Sequence, residues 1–281
     1  MPSLTNALNP TVASCQVFAK NLRLTALRMV HAAKSAHAGG SLSIADLLAA
    51  LYGGVLRVDS KRPDSPDRDR FILSKGHACA AFYAALAFRG FFPMEWLDTF
   101  YQNGGRLAGH ATHSGVPGVE FSTGSLGHGL SVATGMALTG KRDGAPWRVF
   151  ALLSDGECDE GSTWEPALFA PHHRLDNLVA IIDYNKIQSL GHTKEVLDLD
   201  PFAEKWRAFG WAVQEIDGHD MSKIIAALTT IPFTQGKPSC LIAHTVKGKG
   251  VSFMEDKLLW HYRNPSTEEY QAAIIEIEKM P

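Results

Sequence analysis

The chain has 281 residues, 45% of them hydrophobic and 20% charged, with a formal net charge of −2. That length allows one large α/β domain or two small ones, and the near-neutral charge gives no electrostatic footprint for nucleic acid or an anionic membrane. No apolar run approaches the roughly 20 residues that span a bilayer, and residues 1–13 lack the basic start and apolar core of a signal peptide.

Apolar groups at helical spacing (Val17, Leu22, Leu24, Leu27, Val30) predict a first helix over residues 12–34. It ends at His37-Ala38-Gly39-Gly40-Ser41, after which Ser43 is placed to cap a second helix over 44–56. Residues 59–69 are charged, carry Pro63 and Pro66, and predict an exposed loop. Phe71-Ile72-Leu73 is a short buried strand candidate running into Ser74-Lys75-Gly76-His77. An alanine-rich helix follows to about Gly90, and another is expected over 93–102. Residues 104–129 hold eight glycines in 26 positions, together with His110, His113 and His128. A long stretch with so little periodicity is more often functional than idle. A small-residue helix is expected over 130–139.

The rest of the chain is organised around the two apolar runs that come next. The first, from Arg148, closes in Asp155-Gly156; the second, from Asn177, closes in Asp183-Tyr184-Asn185, 30 positions after Asp155. That spacing is about one βαβ unit, so both strands deliver their last residues to one carboxyl edge of a parallel sheet. An aspartate and an amide carbonyl converging there suit a hard cation such as magnesium, which shares its oxygen ligands with phosphates. Gly156 lets backbone approach a ligand, and a helix starting after it points N–H groups at an anion. Further strands are expected at 211–216 and 239–244, and helices at 202–209, 221–229 and 267–279. Lys247-Gly248-Lys249-Gly250 opens a loop that reaches Trp260-His261. The alternation argues for a single α/β domain over residues 1–281: a doubly wound, mostly parallel sheet flanked by helices.

Four histidines, His37, His77, His110 and His261, stand in glycine-flanked or loop settings, where histidine serves as a proton carrier near neutral pH. None pairs with another at metal-ligand spacing. His172 and His173 read as solvated at a helix end, and His219, beside Asp217 and Gly218, as a turn or cap. Glu160 and Glu165 fit the acidic first turn of a helix. Lys75 and Lys247 either bind phosphate or are exposed. Cys15, Cys79, Cys158 and Cys240 lack zinc spacing and predict free thiols in a reducing cytosol, with Cys158 a bystander in its loop. No Walker-type phosphate loop is present, which disfavours a magnesium phosphotransferase.

Taken in order, six segments resemble the thiamine-diphosphate enzymes of the transketolase family: Ala36-His37-Ala38-Gly39-Gly40-Ser41, Ser74-Lys75-Gly76-His77, Gly109-His110, Gly124-Ser125-Leu126-Gly127-His128-Gly129, Asp155-Gly156 through Asn185, and Lys247-Gly248-Lys249-Gly250 through His261. The resemblance runs from about Gln16 to Ile277 and is to the N-terminal, diphosphate-binding (PP-type) domain alone. It implies the N-terminal subunit of a split transketolase, moving a two-carbon ketol unit between a ketose and an aldose. Its cofactors would be thiamine diphosphate and Mg2+ or Ca2+. Its partner would be a C-terminal subunit with the pyrimidine-binding and C-terminal domains, in a heterotetramer with two copies of each chain. It would act on sugars or sugar phosphates in the cytoplasm.

The resemblance also implies roles. Asp155, Asn185 and the carbonyl of Ile187 would hold the metal, and Gly156 and Glu157 would approach the diphosphate through backbone. His77 and His261 would lie beside the diphosphate and the substrate channel, and His37 and His110 would contact sugar oxygens and move protons. Gly124, Ser125 and Leu126 would line the aminopyrimidine ring, and Glu160 and Glu165 would sit at the interface between chains and connect two cofactors. The glutamate that activates the cofactor would come from the partner, so this chain without it is expected to be inactive. Ser154, Ser125, His128 and Tyr262 depart from the family's glycine, proline, glutamine and glycine. The alternatives are a subunit of a deoxyxylulose-phosphate-synthase-like or other 2-oxo-acid-using enzyme, and a non-catalytic assembly subunit.

Overall fold

Five apolar runs pair as one sheet in the computed structural model, which describes residues 10–281. The leader reading of residues 1–13 therefore lies, through residue 9, outside the described residues. The strands are β1 (Arg70–Leu73), β2 (Val149–Ser154), β3 (Leu178–Tyr184), β4 (Ala212–Asp217) and β5 (Ser239–His244), in the order β1-β2-β3-β5-β4. Every pairing is parallel. The helices are α1 (Val12–Ala32), α2 (Ala38–Ser43), α3 (Ala45–Ala50), α4 (Cys79–Phe88), α5 (Gly129–Arg142), α6 (Gly161–His172), α7 (Thr193–Val196), α8 (Phe202–Phe209), α9 (Met221–Thr229) and α10 (Thr267–Glu278). None of them is long and apolar enough to cross a membrane.

The period of two along each strand divides the core. Phe150, Leu152, Val179, Ile181, Leu241 and Ala243 pack with α1, α3, α4, α9 and α10. Val149, Ala151, Leu153, Ala180, Ile182 and Ile242 pack with α5, α6 and α8. Strands β2 and β3 are buried along their whole length, as central strands covered on both faces must be. This is the doubly wound parallel sheet that the alternation of elements predicted.

Three local expectations change. The second helix begins at Ala38, six residues before the expected start, and is interrupted at Ile44. It continues through α3 into a wider turn at Leu51–Val55. Ser43 does not cap it: its hydroxyl donates to Gly40 O at 3.0 Å and to Asp183 Oδ2 at 2.8 Å, a tertiary partner that local capping rules cannot see. The expected helix over 93–102 is a short 3-10 segment, Met94–Thr99. The loop over 59–69 is exposed or half-buried except at its end. There Asp69 is fully buried and paired with Arg57 and Arg148, each at 2.7 Å, which ties the loop to the start of β2.

Candidate active site

Strand register brings the expected metal ligands together. Ser154 at the end of β2 lies opposite Asp183 in β3, so Asp155 and Asn185 leave the same carboxyl edge. They line a cavity of about 230 Å³ with Ile187, Lys247 and the histidines. Asp155 is buried. Its Oδ1 accepts from Gly156 N at 2.8 Å and its Oδ2 from Lys186 N at 2.5 Å. Burial and the nearby charge of Asp183 push its carboxyl up to about 6. Asn185 Oδ1 accepts from Ile187 N at 3.1 Å, and Ile187 O accepts from Lys247 Nζ at 2.9 Å.

The donor set fits a hard cation. It offers a carboxylate, an amide oxygen and a backbone carbonyl, all oxygen. Burial and the Asp183 charge leave the Asp155 carboxylate poorly compensated, a setting that a cation would relieve, while the Lys247 ammonium already rests on Ile187 O. Among the described residues no group of three or more His, Cys, Asp or Glu could hold a metal by itself, so a cation held by these oxygens would need further oxygen ligands such as those of a phosphate. The floor also fits a diphosphate. A Cβ at Gly156 would stand 2.8 Å from Gln188 Cβ, and one at Gly124 3.1 Å from His110 Cδ2, so a side chain at either position would push on residues of the cavity lining.

The four histidines converge. The His37 ring centroid lies 5.0 Å from that of His77, 5.9 Å from His110 and 5.1 Å from His261. His37 stands before α2 with φ of +72°, a left-handed conformation that costs a non-glycine residue about 1–2 kcal/mol. Its amide donates to His261 O at 3.0 Å, which helps hold it there. Its Nδ1 is buried without a partner, a polar atom in the pocket lining left free for a ligand. Burial lowers His37 to about 4, with His110 and Lys247 adding to the effect, and lowers His261 to about 3, with Lys247 next. Burial also holds His77 well below the ordinary histidine range. These rings are neutral bases at pH 7.

The glycine loop divides. Gly124 and Leu126 line the main cavity, whereas Ser125 lines a neighbouring surface cavity with Phe121 and His128. The Glu157 side chain is fully buried away from the cavity lining and accepts from Ser74 Oγ and from Gly127 N at 2.9 Å. It therefore staples the glycine loop to the ends of β1 and β2. Glu160 and Glu165 are exposed and absent from the pocket. Neither fits the first-turn expectation: Glu160 precedes α6 without a capping bond, and Glu165 lies beyond its first turn, in the groove between α5 and α6.

Several residues exceed or correct their sequence readings. Lys75 and Lys247 are not exposed; both are buried at the pocket. Ser154, Gln188, Ser189 and Tyr262 also line it. Only the departure of Ser154 and Tyr262 from the family pattern flagged them in the sequence. His219 forms the expected turn, its N–H donating to Asp217 Oδ1 at 2.9 Å. It also does more: its Nε2 accepts from Val246 N at 2.8 Å and its Nδ1 meets Asp46 Oδ2 at 2.7 Å, which anchors the segment before Lys247. His172 is exposed and His173 half-buried at the end of α6. Cys158 is buried and burial pushes its thiol well up, so it is a bystander; all four cysteines are free.

The family model for the transketolase thiamine diphosphate binding domain matches residues 14–269. The 6-deoxy-6-sulfo-D-fructose transketolase subunit SqwG of Clostridium sp. is 48% identical over 243 residues, covering 86% of this chain and 88% of that protein. An apulose-4-phosphate transketolase subunit of Phocaeicola vulgatus is 43% identical over 268 residues, covering 95% of each. Among solved structures, transketolase from Campylobacter jejuni superposes with a TM-score of 0.90 at 30% identity, covering 95% of this chain and 43% of that one. The chain thus spans less than half the length of that structure.

Proposed function

The chain belongs to the transketolase family, and on that premise we propose that it is the cofactor-binding subunit of a thiamine-diphosphate-dependent transketolase, a single PP-type domain over residues 1–281. In this reading it transfers a two-carbon ketol unit between a ketose and an aldose. It acts with a separate subunit that carries the pyrimidine-binding and C-terminal domains, two copies of each. The observation that carries the proposal is the convergence of Asp155, Asn185, the Ile187 carbonyl and four histidines on one cavity at the carboxyl edge of β2 and β3. The names of the relatives, both transketolase subunits of nearly this length, support ketol transfer over the use of a 2-oxo acid.

Bound thiamine diphosphate would supply the nucleophilic carbon for breaking and making a carbon–carbon bond beside a carbonyl. The chain's own residues do the rest. Asp155, Asn185 and Ile187 O hold the divalent cation, and Gly156 leaves room for the diphosphate. Lys247 adds a buried positive charge at the same place. His77 and His261 flank the diphosphate end. His37 and His110 accept and return protons at sugar hydroxyls, a role that requires the neutral bases found here. Gly124 and Leu126, which line the main cavity, would face the aminopyrimidine, with Ser125 beside them on the neighbouring cavity, and Glu160 and Glu165 would connect the two halves across the interface.

Co-expression with a candidate partner subunit, followed by ketol-transfer assays with thiamine diphosphate and Mg2+, tests the reading. Transfer by the pair and none by either chain alone is expected. Cofactor bound by the pair without transfer from any of several ketose donors would overturn it.

A further inference from the structure

Asp183 is the last but one residue of β3, and its carboxylate is fully buried beside Asn185. Four side chains donate to it: Lys75 Nζ at 2.5 Å, Ser43 Oγ at 2.8 Å, Asn185 Nδ2 at 2.9 Å, and Thr245 Oγ1. With four donors turned toward it, the carboxylate serves only as a hydrogen-bond acceptor.

That fact acts on Asn185. A carboxamide has an accepting end and a donating end of nearly the same shape, and only the oxygen can bind a cation. An amide turned the wrong way would present two N–H groups to a metal. Facing a carboxylate, the amide must turn its NH2 inward, because the opposite orientation sets oxygen against oxygen in a buried place. Oδ1 is then left on the pocket side, where Ile187 N also finds it at 3.1 Å.

We infer that Asp183 is a positioning residue that fixes which end of the Asn185 amide faces the pocket. Ser43 and Thr245 fill the remaining acceptor sites, which leaves Asn185 Nδ2 a single way to dock. The inference rests on the proposed role of Asn185 as a metal ligand.

The test is Mn2+ titration of the full chain in the presence of thiamine diphosphate, with free Mn2+ read by electron paramagnetic resonance. Asp183→Asn should weaken Mn2+ binding about tenfold to a hundredfold, the range for partners that orient metal ligands. The exchange variant Asp183→Asn/Asn185→Asp keeps the net charge and supplies two equivalent oxygens at position 185, where no orientation is needed. Its Mn2+ affinity should return to near the wild-type value. A merely structural carboxylate predicts the reverse, because Lys75, Ser43 and Thr245 lose their partner in both variants. If Asp183→Asn does not fold, the exchange variant decides alone. Wild-type affinity in Asp183→Asn, or an exchange variant that binds as weakly as the single one, overturns the inference. Mn2+ binding that is absent from the wild type and from Asp155→Ala alike overturns the metal reading itself, and this inference with it.

Discussion

The Lys247 ammonium stands 2.9 Å from the carbonyl oxygen of Ile187 and 3.0 Å from Nδ1 of His261. An ammonium only donates, so His261 Nδ1 is an acceptor and the ring proton sits on Nε2. One buried cation thus connects a proposed metal ligand with a histidine proposed to flank the diphosphate. Burial, helped by Lys75, lowers Lys247 to about 8, so most of its charge remains at pH 7.

Asp155→Ala removes the only carboxylate among the three proposed metal ligands. Metal-dependent binding of thiamine diphosphate should weaken by at least about a hundredfold, roughly 2.7 kcal/mol. The fold should persist, because the lost group is a buried acid with a raised pKa. Isothermal calorimetry with Mg2+, beside a thermal melt, checks both halves.

Gly156→Ala places a Cβ 2.8 Å from Gln188 Cβ, closer than real Cβ contacts come. Gln188, which lines the same cavity, must shift to make room, so cofactor affinity should fall about tenfold or more. An unchanged dissociation constant in the same calorimetric titration would show that the cradle lies elsewhere.

Glu157→Ala leaves the Gly127 amide and the Ser74 hydroxyl without their buried acceptor. Urea unfolding should register a loss of about 1–3 kcal/mol. Amide exchange should accelerate over residues 124–129 and leave β3 protected, which separates release of the loop from general destabilisation.

Stability should also fall in acid. His37 and His261 titrate near 4 and near 3 in the folded chain, against 6.5 for free histidine, because burial opposes their charging. Below pH 6.5 the unfolded chain binds protons that the folded chain refuses. The stability present above pH 6.5 is therefore lost as pH falls through about 4. The thermal midpoint should drop across that window, and His37→Asn/His261→Asn should flatten the slope.

Tyr262→Gly restores the residue usual in the family at the pocket mouth. The tyrosine is 61% exposed, so the change should move stability by no more than about 0.5 kcal/mol. Its ring lies 4.7 Å from that of His261, and the KM for ketose donors should change more than kcat in assays of the assembled enzyme.

The sheet was legible because central parallel strands are continuous apolar runs, and β2, β3 and β5 have few other readings. The proximity of Asp155 and Asn185 was legible for a related reason: strand ends in a parallel sheet share an edge, so their spacing carries it. The start of α2 was not legible. His37-Ala38-Gly39-Gly40 has glycines where a helix is disfavoured, and tertiary contacts from His261, Gly248 and Lys75 help hold it.

The sequence by itself determined the fold class, the edge where chemistry gathers and the residue types assembled there, since periodicity and spacing are properties of the chain. Only the tertiary structure decided what each charged group faces. Lys75 pairs with Asp183 across 108 positions, Glu157 reaches Ser74 across 83, and Lys247 reaches Ile187 across 60. Burial makes such choices, because a charge taken out of water must find a partner wherever the fold supplies one. For the same reason Asp183, silent as one more residue in an apolar strand, stands at the centre of the Asn185 site.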